Sequence, residues 1–106
     1  MEKSIYNMIG LAQKAGCIAA GETAVENAVK SGTVHLLIIA SDASESSRKH
    51  LRDMAVYRNI PNCVWGTKED LGRSIGKAER SGVAVSNQGL ALKIQAMIEK
   101  EEKQGE

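Results

Sequence analysis

Residues 35–40 read His35-Leu36-Leu37-Ile38-Ile39-Ala40. Side chains alternate between the two faces of a strand, so an unbroken apolar run predicts a strand covered on both sides. A sheet covered on both sides needs helices on both sides. The flanking sequence supplies them.

Upstream, Ile5, Met8, Ile9 and Ala12 fall at i, i+3, i+4 and i+7, one face of a helix, with Gly16 at the place expected just past a helix end. Gly10 falls inside this pattern without a local reason. Residues Cys17 to Ala20 form a short apolar run and are expected to be a small strand. Gly21 and Glu22 open a second helix, with Val25, Ala28 and Val29 as its buried stripe, Glu26 and Lys30 as a favourable i,i+4 pair, and Gly32 at its end.

Downstream, Asp42-Ala43-Ser44-Glu45 has the spacing of a capping box for a third helix, whose core side is Leu51, Met54 and Ala55. Asn59-Ile60-Pro61 stops it, and Asn62 to Trp65 is the next expected strand. Thr67-Lys68-Glu69-Asp70 is a second capping box, ahead of a short helix through Leu71 and Ile75. A loop from Gly76 to Gly82 leads to the strand Val83-Ala84-Val85, and Asn87-Gln88-Gly89 turns into a last helix carrying Leu90, Ile94, Met97 and Ile98 on one side. Helices alternate with short strands throughout, which predicts an α/β sandwich around a sheet of about four strands. The 106 residues suit one domain, expected over 1–98, with 99–106 as a charged, fraying tail.

The net charge is +1, so a nucleic-acid function has to rest on where the charge lies rather than on its total. The tail from Glu99 holds four acids and two lysines, which leaves the body at +3. Cys17 and Cys63 are far apart, form no C-x-x-C pair, and read as two reduced thiols in preference to a disulfide or a metal site. No signal-like or membrane-spanning apolar stretch is visible, so a cytoplasmic protein without a membrane partner is expected.

Catalytic constellations are missing from the sequence. His35 begins a core strand and is expected to be structural, and His50 lies on a basic helix face. There is no G-x-S-x-G, Walker loop or H-E-x-x-H, and the glycine-rich segment Gly72–Gly76 does not follow a strand as a phosphate loop would. No enzyme activity and no cofactor are expected. With Tyr6, Tyr57 and Trp65 as the sole aromatics, a base-stacking sheet surface is not expected.

Two segments remain that suit RNA. At Gly21-Glu22-Thr23 a helix N-terminus offers free backbone N–H groups, and Thr23, Asn27 and Lys30 at i, i+4 and i+7 share one polar face. The loop Gly76-Lys77-Ala78-Glu79-Arg80-Ser81-Gly82 offers Lys77 and Arg80 for phosphates. An ordinary solvated face is the alternative for both. The helix carrying Arg48, Lys49, Arg52 and Arg58 ranks below them because Glu45 and Asp53 interleave.

Taken together, Gly10–Gly16, Ser31–Ser44 and Gly66–Lys77 resemble the kink-turn-binding ribosomal-protein family of the L-seven-Ae and L-thirty-e type, closest to its small bacterial, YlxQ-type branch. The resemblance runs from about Ile5 to about Ile98. It implies a three-layer α-β-α sandwich with a four-stranded mixed sheet, and binding to kink-turn RNA through a G-x-N-E-x-x-K turn and a small hydrophobic loop. Placed by position, that turn is Gly21-Glu22-Thr23-Ala24-Val25-Glu26-Asn27 and the loop begins Ile75-Gly76-Lys77, followed by Arg80 and Ser81. Thr23, Ala24 and Asn27 stand where the family carries asparagine, glutamate and lysine. A bidentate base contact is worth roughly 1–3 kcal/mol by analogy with DNA readout, so these departures weaken kink-turn recognition. The expected function is a monomeric, ribosome-associated binder of structured RNA. The alternative is a module that docks ribosomal or translation-related proteins.

Overall fold

The computed structural model describes residues 2–104. Its elements run α1 (Glu2–Lys14), β1 (Ile18–Ala20), α2 (Glu22–Lys30), β2 (Leu36–Ile39), α3 (Glu45–Tyr57), β3 (Asn62–Val64), α4 (Lys68–Ser74), β4 (Gly82–Val85) and α5 (Gln88–Gln104). The strands form one mixed sheet in the order β1-β4-β2-β3. β4 is antiparallel to both β1 and β2, whereas β2 and β3 are parallel and joined by the crossover helix α3.

The apolar run that predicted a doubly covered strand becomes β2, with all four residues buried. Leu36 and Ile38 point into a layer with Ile5 and Ile9 of α1, Leu71 of α4, and Ile94 and Ile98 of α5. Leu37 and Ile39 point the other way, onto Val25 and Val29 of α2 and Leu51 and Ala55 of α3. The three-layer sandwich therefore follows from strand alternation combined with the helical stripes. Each of these large side chains contributes on the order of 1.5–3 kcal/mol by leaving water.

Local signals set several boundaries. α1 ends in a Schellman arrangement, with Gly16 N–H donating to Gln13 O at 3.0 Å and Cys17 N–H to Ala12 O at 2.9 Å. Thr67 caps α4 as expected, accepting the Asp70 amide at 3.1 Å. Gly10 now has a reason: a Cβ there would lie 2.9 Å from Ser74 O, so its bare backbone lets α1 approach the end of α4.

Other boundaries differ from the expectation. The cap of α3 is Ser44, which accepts the Ser47 amide at 3.1 Å, two residues later than the Asp42 capping box implied. The Asp42 carboxylate instead accepts the Lys68 amide at 2.8 Å, serving α4. β2 starts one residue late, leaving His35 exposed at its mouth, where its N–H donates to Val85 O at 2.8 Å. That position lies at the end of the sheet and beyond the cover of the helices, so His35 is not the core residue expected.

α5 runs on past Ile98 to Gln104, so most of the charged tail forms part of the last helix. Residues 99–104 are helix formers with opposite charges four apart at Glu99 and Lys103, and buried Ile98 anchors their base. The tail's last two residues, 105 and 106, lie outside the described residues. Cys17 precedes one edge strand and Cys63 lies on the opposite edge strand, and both are free thiols. Burial pushes the Cys63 thiol up to about 12. No helix among the described residues is long and apolar enough to cross a membrane.

Candidate functional site

β1 and β4 are antiparallel with Ala20 opposite Val83, so the residue after β1 must lie beside the residues before β4. That pairing brings the two sequence-selected segments together. Gly21 N–H donates to Gly82 O at 3.0 Å. Its φ of 91° lies where a side chain is strained, and a Cβ there would meet the Arg80 side chain at 3.5 Å. Arg80 therefore lies across the bare backbone that opens α2.

Around this contact is an open concavity of about 580 Å³, lined on one side by Gly21, Glu22, Thr23, Ala24 and Asn27, and on the other by Glu79, Arg80 and Ser81. Thr23, Ala24 and Asn27 are exposed and lie on the polar face of α2. The acids in the lining are already engaged. Glu22 accepts a hydrogen bond from the Ser47 hydroxyl of α3, and Glu79 lies 3.6 Å from Lys68 Nζ. Arg80 Nη1 donates to the Ala78 and Glu79 carbonyls, at 3.1 and 2.9 Å, and forms no ion pair among the described residues. Its guanidinium thus stands at the rim unpaired, beside the positive end of the α2 dipole, with the carboxylates of Glu22 and Glu79 in the same lining.

The remaining candidates lie elsewhere. Lys30 is turned to Glu26 at 3.0 Å and does not line the concavity. That hydrogen bond and charge hold the Glu26 carboxyl below its ordinary range, with His50 contributing at 3.7 Å. His50 is exposed on α3, with its Nε2 facing the Glu26 carboxylate. Ile75 is buried among α1 and α4. With Gly76 it borders a separate groove of about 740 Å³ between α1 and α4. Lys77 is exposed and lines neither space, with its amide donating to Gly72 O at 2.9 Å.

The loop's support escaped the sequence reading. Gly72 sits inside α4, and a Cβ there would lie 2.0 Å from Ala78 O. The backbone of residues 77 and 78 rests directly on the helix at this point. Arg80 N–H donates to Lys68 O at 3.1 Å, so α4 holds the loop at both ends. A glycine inside a helical pattern was the available signal, since it costs the helix about 1 kcal/mol against alanine and so asks for a packing reason. No group of three or more His, Cys, Asp or Glu side chains that could hold a metal occurs among the described residues. The arrangement suits a ligand bound by N–H groups, one guanidinium and short polar side chains.

Comparison with known proteins adds independent observations. The ribosomal protein L7Ae/L30e/S12e/Gadd45 family model matches residues 3–94. The RNA-binding protein YlxQ of Bacillus subtilis (strain 168) is 32% identical over 94 residues, covering 89% of this chain and 94% of that protein. The RNA-binding protein YlxQ of Enterococcus faecium is 30% identical over 93 residues, covering 88% and 89%. A solved structure of a protein of unknown function from Bacillus halodurans C superposes with a TM-score of 0.85 at 38% identity, covering 90% of this chain and 96% of that one. The Giardia lamblia 15.5kD RNA binding protein superposes with a TM-score of 0.76 over 90% and 84% of the two chains, and at 22% identity it speaks for the fold alone.

Proposed function

Since this chain belongs to the ribosomal protein L7Ae/L30e/S12e/Gadd45 family, we propose that it is a non-catalytic RNA-binding protein whose contact surface is the concavity between Gly21–Asn27 and Arg80–Ser81. The observation that carries this reading is the seat of Arg80 on Gly21, a cation without an acid partner placed at the open N-terminus of a nine-residue helix. Backbone N–H groups at such a terminus bind a phosphate, and a guanidinium adds a charge-assisted, bidentate contact to a second one. The Thr23 hydroxyl and the Asn27 amide are then the groups in reach of base edges. Lys77, exposed on the same loop, extends the phosphate track.

The RNA is a structured one, of kink-turn-like shape and ribosomal origin, bound in the cytoplasm by a monomer. Support for the shape comes from the retained Gly21 and from the family's fold. Ala24 has no polar side chain and Asn27 has no charge, so the contact relies on phosphates and shape more than on base readout.

A filter-binding titration with a kink-turn duplex and with ribosomal RNA tests this. Binding is expected at low salt, with affinity falling linearly against the logarithm of the salt concentration. A combined Lys77→Ala and Arg80→Ala variant should flatten that slope by about two, one for each lost phosphate contact. Undetectable binding at low salt, or a double variant that binds as the parent does, overturns the reading.

A further inference from the structure

We propose that the end of the fold opposite the Gly21–Arg80 concavity is a second docking surface, which takes an acidic peptide segment with an apolar anchor from a partner protein. The elements run between the two ends. α2 leaves the concavity at Gly21 and finishes at Lys30, about 13 Å away at 1.5 Å per residue. β4 likewise starts beside the concavity at Gly82 and finishes at Val85, next to His35.

At this far end is a groove of about 290 Å³. Val34, Ile60 and Ala91, each buried, form an apolar floor, and His35, Arg58 and Leu92 stand at the rim. None of the lining residues is Asp or Glu. Leu92 lines the groove at 60% exposure, a large apolar side chain open to solvent beside the buried floor. Val56 and Tyr57, also exposed, lie at the C-terminal end of α3 but do not line the groove. An exposed leucine over a buried apolar floor gives an apolar anchor a place to seat.

Charge selects the occupant. Arg58 is the one fully charged residue in the lining and makes no ion pair among the described residues. A cation at the end of α3 is favourable to that helix by itself, but this does not account for Leu92 exposed in the same lining. A nucleic acid would demand several cations, and the groove provides one arginine and an imidazole. A peptide carboxylate fits the guanidinium, and an apolar side chain fits the floor, which is about the size of the smallest ligand pockets. This surface is independent of the RNA reading and leaves the concavity free.

The test uses the full chain, immobilised and panned with a phage-displayed library of random peptides. Selected peptides are expected to combine Asp or Glu with Leu, Ile or Phe. They should bind Arg58→Glu and Leu92→Glu variants about tenfold or more weakly and bind Arg80→Ala like the parent. Both substituted positions are at the surface, and thermal melts that match the parent exclude misfolding as the cause of a loss. Three results overturn the proposal: no enrichment, selected peptides that bind Arg58→Glu and Leu92→Glu normally, or a concentration-dependent dimer of the parent that Leu92→Glu abolishes.

Discussion

Replacing Gly72 by alanine isolates the support beneath Arg80. In a free helix the change would stabilise by about 1 kcal/mol, because alanine is the better helix former. Here the added Cβ would lie 2.0 Å from Ala78 O, 2.6 Å from Ala78 C and 3.1 Å from Lys77 O. All three are backbone atoms, so no side chain can swing aside. Reaching an ordinary contact of 3.4 Å moves the loop about 1.4 Å from the helix. Overpacking of this kind costs about 1–3 kcal/mol. The Lys77 N–H to Gly72 O hydrogen bond, 2.9 Å long, is lost with it, at about 0.5–1.5 kcal/mol. The helix gain offsets part of this, leaving a net loss of about 0.5–3.5 kcal/mol, or roughly 4–8 °C in Tm per kcal/mol for a domain near this size.

Urea unfolding measures that loss, and filter binding measures its consequence, since Arg80 moves with the loop. Gly89 is the internal control. It lies in the first turn of α5, where a Cβ would approach only Asn87 Oδ1, at 3.4 Å, and Gly89→Ala should be neutral to stabilising by up to about 1 kcal/mol. If Gly72→Ala proves as stable as the parent, the loop does not rest on α4 and the account of how Arg80 is positioned is refuted.

Two further expectations concern the scaffold. Asp42→Ala should lower stability by about 1 kcal/mol, in the manner of a lost N-cap, because its carboxylate serves the first turn of α4 through the Lys68 amide. Asp42→Asn keeps an acceptor and should lose less, and a neutral alanine variant in thermal melts would show that the bond contributes nothing. In a timed thiol titration at mildly alkaline pH, Cys17 should react faster than Cys63, because burial pushes the Cys63 thiol up to about 12 and little thiolate forms. Equal rates for the two native thiols would contradict the raised Cys63 thiol.

Much of the architecture was legible along the chain because it rests on local periodicity. Leu36-Leu37-Ile38-Ile39 announced a strand with two covered faces, and the stripes on α1, α2 and α3 announced what covers it. Thr67 was readable as a cap because its partner amide is three residues away. Capping of α3 was readable only in part. Both Asp42 and Ser44 carry suitable oxygens, and the choice between them depends on where α4 begins in space, 26 residues beyond Asp42.

The sequence by itself determined the order of helices and strands, the two-sided core and the two polar segments that could meet RNA, since each depends on side chains a few residues apart. The tertiary structure alone decided that Gly21 meets Arg80, because that contact follows from β1 pairing with β4, and strand partners carry no local periodic signature. It likewise buried Ile75 against α1 and α4, and gave Gly10 and Gly72 their purpose. Those outcomes depend on which backbone passes within about 3 Å of another, a distance that spacing along one chain does not contain.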